Sequence, residues 1–262
     1  MYCDEECLAR NASFWDFKGS METVDGWPMM SPYTMLAVFT SYLLYVLKIG
    51  PELMKDRQPF QLKNIIVLYN AVQVLVSVYI VYSATELMWE HGLITKTCLL
   101  ETEETRDKIT RIMYYYYIAK ISEVFDTIFF ILRKKYSQVT FLHVYHHAMM
   151  IVASWGILKY EPTYPTLFLR NINSFVHAIM YTYYGLSSYP SLAKYLWWKK
   201  YITSMQLVQF ALVFIHFTLT YYISECTPSF PASFTVLWNA FFFLVLFARF
   251  YLNTYLSKKN KE

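Results

Sequence analysis

Apolar residues run along this chain in long unbroken blocks, and the polar residues gather in the gaps between them. Windows of about 20 residues, the length that crosses a bilayer as a helix, fall near 33–50, 65–85, 112–132, 139–158, 166–186, 201–223 and 233–256. The pattern predicts an all-α membrane protein of seven transmembrane helices, a single multi-pass domain over residues 1–262. Two blocks are interrupted. The third holds Lys120, Glu123 and Asp126 and the fifth holds Arg170, groups too costly to face lipid, so both spans are expected to turn them toward protein or water. The polar stretch near 86–111 reads as a connecting loop, and no internal repeat or low-complexity segment is present.

Composition agrees with the blocks. Of 262 residues, 56% are apolar and 20% aromatic, and the mean hydropathy is +0.26; a soluble domain of this length offers water more polar surface. Continuous rather than alternating apolarity argues against a β-barrel. Asp4, Glu5, Glu6, Asp16, Glu22 and Asp25 break up the first thirty residues, which lack the apolar core of a cleavable signal, so the first span is expected to target the chain. A net charge of +4, spread over short clusters between spans, excludes a nucleic-acid partner.

Those clusters orient the stack. The connections after spans one, three and five and the C-terminal tail hold thirteen basic residues: Lys48, Lys55, Arg57, Lys63, Arg133, Lys134, Lys135, Lys194, Lys199, Lys200, Lys258, Lys259 and Lys261. The N-terminal segment and the other connections hold eight: Arg10, Lys18, Lys96, Arg106, Lys108, Arg111, Lys159 and Arg170. By the positive-inside rule the N-terminus is lumenal and the C-terminus cytosolic. All four cysteines, Cys3, Cys7, Cys98 and Cys226, then fall on the oxidising side. A Cys98–Cys226 disulfide is expected there, with two unpaired thiols as the alternative; Cys3 and Cys7 are left open, as is use of the Asn11-Ala12-Ser13 glycosylation sequon.

Polar stripes run inside the apolar blocks. In KISEVFDTIFFILRKK, Lys120, Glu123 and Asp126 recur every three residues on one broad helix face, and Arg133, Lys134 and Lys135 follow where an anionic ligand would arrive from the cytosol. A local ion pair and a positive-inside anchor are the plain structural readings of these two groups. In FLHVYHHAMM, His143, His146 and His147 stand at i, i+3 and i+4 and converge on one patch. In NSFVHAIMYTYY, Asn173 and His177 are i, i+4 partners, and Tyr181 and Tyr184 continue their face; Gln206 and Gln209 sit near the start of span six. Singly, such amides are interhelical hydrogen-bond glue; four consecutive polar-striped spans suggest a site. His91 is expected to be solvated in a loop and His216 to pack as a satisfied core histidine.

Two chemistries compete for the HxxHH spacing. Membrane di-iron desaturases and hydroxylases gather about eight histidines, whereas this chain has six, of which four are placed to meet. Acyl transfer needs an anionic substrate from the cytosol, an enclosed nucleophile or base, and a basic rim, and all three are present. No cysteine lies within a span, so imidazole is the best nucleophile available. A third reading, a seven-helix receptor or transporter, leaves the histidine box and the Lys-Glu-Asp series without chemistry.

KISEVFDTIFFILRKK, HVYHH, NSFVHAIMYTYY and TSMQLVQF, in this order, together with GPELMKDRQPFQLKNIIVLYN, resemble the ELO family of very-long-chain fatty acid elongases over nearly the whole chain from about residue 28. The resemblance implies seven helices around a central acyl tunnel in the endoplasmic reticulum membrane. It also implies condensation of a long acyl-CoA with malonyl-CoA to 3-oxoacyl-CoA, CoA and carbon dioxide, with no metal and no cofactor. His146 would carry the acyl group. His177, oriented by Asn173, would act on the enolate oxygen, and His143 and His147 would set tautomer and charge. Lys120, Glu123 and Asp126 would orient the histidines, and Gln206 and Gln209 would hold carbonyl oxygens. CoA would meet Lys63, Arg133, Lys134, Lys135, Tyr181, Tyr184, Lys199 and Lys200. Partners would be membrane lipid and the reductases and dehydratase of the elongation cycle. The chain departs from the family pattern twice: KYEPTYPTLFLRNIN lacks the usual glycine-rich stretch and brings Arg170 beside the site helix, and the tail SKKNKE lacks the lysine three positions from the end that a dilysine retrieval signal wants.

Overall fold

The computed structural model describes residues 22–96, 103–224 and 228–256, which form helices and connections and contain no strand. Cys3, Cys7, Cys98, Cys226, the Asn11 sequon and the tail SKKNKE lie outside the described residues. After a one-turn helix, Glu22–Asp25, come α1 (Pro32–Met54, with a π-helical turn at Tyr45–Ile49), α2 (Lys63–His91), α3 (Glu103–Ser122), α4 (Val124–Leu132) and α5 (Phe141–Tyr160). Then follow α6 (Pro165–Ser187), α7 (Lys199–Ile223) and α8 (Phe230–Tyr251, running on into a π-helical turn at Leu252–Leu256). Every apolar window has its helix. Five, α1, α2, α5, α7 and α8, are long and apolar enough to cross a membrane. The other two windows correspond to α3–α4 and α6, the helices with charged interiors.

The helices outrun the windows because a helix need not stop where the hydrocarbon does. The stretch near 86–111, read as a loop, is helical to His91 and again from Glu103. Surface pairs at helical spacing, Glu104 with Lys108 at 2.9 Å and Asp107 with Arg111 at 3.5 Å, suit that polar first part of α3. Local signals set the ends: Gly92, at φ 85°, closes α2 with its N–H on the Met88 carbonyl, Thr140 accepts from the His143 N–H at the start of α5, and Ser229 does the same for Ala232 in α8. Prolines occupy the first turns of α1, α6 and α8, where no N–H is required.

The bundle is inverted relative to a soluble protein. Along α2 the buried stripe reads Ile66, Asn70, Gln73, Ser77, Ile80, Ala84, Leu87, while Leu68, Leu75 and Tyr82 on the same helix stand about two-thirds exposed. Gln73 donates to the Ser122 hydroxyl at 2.7 Å, so the interior polar groups find partners on the next helix. Apolar groups outside and bonded polar groups inside is the arrangement lipid selects.

Contacts between helices fix their directions. Asn171, early in α6, meets Thr85 near the C-terminal end of α2, and Lys63 at the start of α2 lies over the Tyr189 ring beyond the end of α6, so α2 and α6 run antiparallel. Tyr116 meets Asn173, Lys120 meets His177 and Asp126 meets Tyr181, so α3–α4 and α6 run parallel. Tyr42 of α1 bonds Thr127 and Gly50 packs on Ile131, which makes α1 parallel to both. Alternate helices therefore start at the same end, as a chain threading back and forth must.

Candidate active site

The polar stripes expected from the sequence meet at the junction of α3, α4, α5 and α6. Glu123 interrupts the α3–α4 rod. Ser122 turns its hydroxyl onto the Ala119 carbonyl at 2.7 Å while receiving Gln73, a side chain intruding on the helical ladder of the kind that bends helices. The break aims the Glu123 carboxylate inward. Lys120 donates to its Oε1 at 2.7 Å, both side chains being almost wholly buried. His177 reaches both partners: its Nδ1 lies 3.1 Å from the same Oε1, off the line of a hydrogen bond, and its Nε2 lies 3.5 Å from Lys120 Nζ. The plain reading of Lys120 and Glu123 as a local ion pair and the site reading are thus both satisfied. Asp126, one turn on, accepts from Tyr181 at 2.7 Å.

The three α5 histidines face this group. His143 and His147 rings lie 4.4 Å apart, and His146 lies nearly parallel to His177 with centroids 6.5 Å apart. His143 Nε2 is 2.9 Å from the Thr127 hydroxyl, which in turn pairs with Tyr42 at 3.1 Å. Asn173 takes its hydrogen bond from Tyr116 at 2.8 Å, while the polar contacts of His177 are with Glu123 and Lys120. Tyr116 also presents its ring to Lys120 Nζ at 4.8 Å.

A narrow cavity opens on His146, which alone among the four histidines lines it, and continues between α5, α6, α7 and α8 past Met150, Ile157, Phe210 and Phe243. Gln209 lines this cavity; Gln206 instead turns its amide to the Met180 sulfur at 3.8 Å. Tyr184 packs on Tyr181, further toward the α6 C-terminus. The basic residues collect at that same end. Phe60 N–H bonds the Leu132 carbonyl and Lys134 Nζ the Lys55 carbonyl, so the connection before α2 lies against Arg133–Lys135. Partial burial, with the Arg133 charge beside it, holds the Lys135 ammonium below its ordinary range. Lys199 and Lys200, exposed, open α7.

Sequence reasoning missed Tyr42, Tyr116 and Thr127. Two carried a signal: Tyr116, Lys120, Glu123 and Thr127 stand at i, i+4, i+7 and i+11, one continuous helical stripe. Of the other histidines, His216 is a packed residue as expected, stacked on Phe168 at 4.2 Å with Nε2 on the Leu93 carbonyl. His91 ends α2 rather than lying in a loop and sits 3.8 Å from Glu90.

Apolar outer faces around a buried ionisable centre define a multi-pass membrane protein with its site inside the helix bundle. The chain belongs to the ELO family (GNS1/SUR4 family), whose pattern matches residues 27–262. It is 40% identical over 243 residues to very long chain fatty acid elongase 5 of Rattus norvegicus, covering 90% of this chain and 79% of that protein. Very long chain fatty acid elongase 2 of the same animal is 40% identical over 244 residues, covering 91% and 86%. Elongase 5 of Mus musculus is 41% identical over 251 residues, covering 92% and 81%.

Proposed function

We propose that the protein is the condensing enzyme of fatty acid elongation, a 3-oxoacyl-CoA synthase of the endoplasmic reticulum membrane. Seven spans, with α3–α4 counted as one, cross the bilayer with the N-terminus lumenal and the C-terminus cytosolic. The observation that carries the reading is that His146 faces His177 and the Lys120–Glu123 pair on one side and an apolar cavity on the other. The neutral imidazole of His146 attacks the acyl thioester, the carbon–sulfur bond breaks, and CoA leaves as the thiol. The acyl-imidazole keeps about the reactivity of the thioester while the hydrocarbon lies in the cavity. Malonyl-CoA then loses carbon dioxide. The electron pair of the broken bond attacks the acyl carbonyl, and the carbon–nitrogen bond returns its electrons to His146. Overall, acyl-CoA, malonyl-CoA and a proton give 3-oxoacyl-CoA, CoA and carbon dioxide.

His177, held by Glu123 and Lys120, stabilises the enolate oxygen. Thr127 orients the His143 ring, and His147 packs edge-on against it, so the two set the charge and tautomer around His146. Lys63, Arg133, Lys134, Lys135, Lys199 and Lys200 take the CoA phosphates. No metal or cofactor is required; the Lys120 ammonium already stands against the carboxylate and imidazole that a dication would need, which disfavours the di-iron alternative. Reductases and a dehydratase complete the cycle.

The test is mass-spectrometric. Purified protein given acyl-CoAs of graded length and malonyl-CoA, with and without a strong chelator, should release chelator-resistant 3-oxoacyl-CoA two carbons longer. His146→Ala should form no acyl adduct with acyl-CoA alone. An adduct retained in His146→Ala moves the nucleophile, first to His177; iron-dependent oxidation of a lipid with no condensation product overturns the proposal.

A further inference from the structure

Arg170 is a buried cation, 1% exposed, at a position where the mechanism above gives it no task. Its Nη1 donates to the Thr166 carbonyl at 2.8 Å, one turn back on α6, and its guanidinium carbon lies 5.5 Å from the centre of the Tyr116 ring. No carboxylate meets it among the described residues, and its Nε has no partner. The same cavity that His146 opens onto is lined by Arg170, Gln209 and Asn239, and the latter two each leave a buried side-chain oxygen unpartnered. The Asn239 amide nitrogen is engaged by the Thr235 carbonyl at 2.7 Å, which identifies its free end as the oxygen. One donor and two acceptors thus stand unpaired along a mostly apolar wall whose polar groups Tyr116, Asn173 and Ser154 are bonded within the protein.

We propose that these groups form a polar subsite for an acyl chain bearing a hydroxyl group in its middle. This rests on the reading that the cavity holds the acyl chain. A hydroxyl accepts from the Arg170 Nε–H and donates to an amide oxygen, so it meets both kinds of unpaired atom at once. A carboxylate, which would neutralise the guanidinium, would face the oxygens of Gln209 and Asn239; a plain methylene or a double bond leaves the acceptors unserved. Arg170 precedes His177 by seven positions, about 10 Å along the helix, which is roughly eight carbons of extended chain beyond the thioester.

The experiment compares condensation of malonyl-CoA with three acyl-CoAs of equal length: plain, hydroxylated about eight carbons from the thioester, and hydroxylated near the methyl end. The readout is the ratio of kcat/KM for each hydroxy chain to that for the plain chain. The chemistry is common to all three, so the ratio cancels any effect that reaches the site through Tyr116. In the unaltered protein the mid-chain ratio should be near or above one and the methyl-end ratio well below it. Arg170→Met should lower the mid-chain ratio about tenfold or more, because a site built around a hydroxyl discriminates strongly. Asn239→Leu should do the same, and carries the test if Arg170→Met does not fold. A mid-chain ratio as low as the methyl-end ratio, or unchanged in both variants, overturns the subsite and leaves the unpaired atoms to bound water. Absence of product from every chain overturns the acyl-transfer reading and the subsite with it.

Discussion

Lys134 holds a backbone conformation that glycine favours, with φ at 54° directly after α4. Its N–H closes on the Ile131 carbonyl and the following N–H on the Phe130 carbonyl, a left-handed helix end. A lysine there costs about 1 kcal/mol relative to glycine, and its exposed bond to the Lys55 carbonyl offsets part of that. Lys134→Gly should therefore leave the melting midpoint in detergent unchanged or slightly raised. If the lysine is there for its charge, the KM for acyl-CoA should rise roughly fivefold, the loss of about 1 kcal/mol of phosphate contact. An unchanged KM would remove Lys134 from the CoA site. At this scale the sequence was legible wherever a residue type is rare: histidines and charges inside apolar blocks identify themselves. Tyr42 and Tyr116 escaped notice because they are two among 25 tyrosines, most of which pack or face lipid, and a phenol's role depends on which neighbour its hydroxyl meets.

Among the elements, the break at Glu123 organises the site, since it places one carboxylate against both Lys120 on its own rod and His177 on α6. Removing one member of such a pair leaves an uncompensated buried charge, so Glu123→Gln should destabilise by about 3–5 kcal/mol. Replacing both members with apolar residues, Lys120→Met with Glu123→Leu, should restore most of that stability, because a buried ion pair gains little over good packing. Condensation should remain depressed about a hundredfold in the double variant, since His177 loses both groups that orient it. Recovery of activity together with stability would show the pair to be scaffolding. The helices themselves were readable because hydrocarbon demands unbroken apolar runs, and every window found its helix. The break was not readable: Gln73 and Tyr69 arrive from α2 to engage the Ser122 hydroxyl and carbonyl, tertiary contacts that no local pattern carries.

For the whole molecule, threading back and forth puts the ends of α1, α4 and α6 at one face and leaves open which face meets the cytosol. Charge supplies the choice. By sequence, the connections and tail expected on the side of Lys63, Arg133 and Lys200 hold thirteen basic residues against eight for the other segments, and the CoA thioesters that this reading requires arrive from the cytosol as polyanions. The two arguments agree, which makes the orientation testable apart from catalysis. A glycosylation sequon placed in the connection between Gly92 and Glu103 should be glycosylated in microsomes, and one placed between Met54 and Lys63 should not. The reverse pattern would put the basic rim in the lumen. The cluster of histidines would survive that result as geometry, but the substrate assigned to it would not, because a buried nucleophile is of use only on the side from which its thioester can reach it.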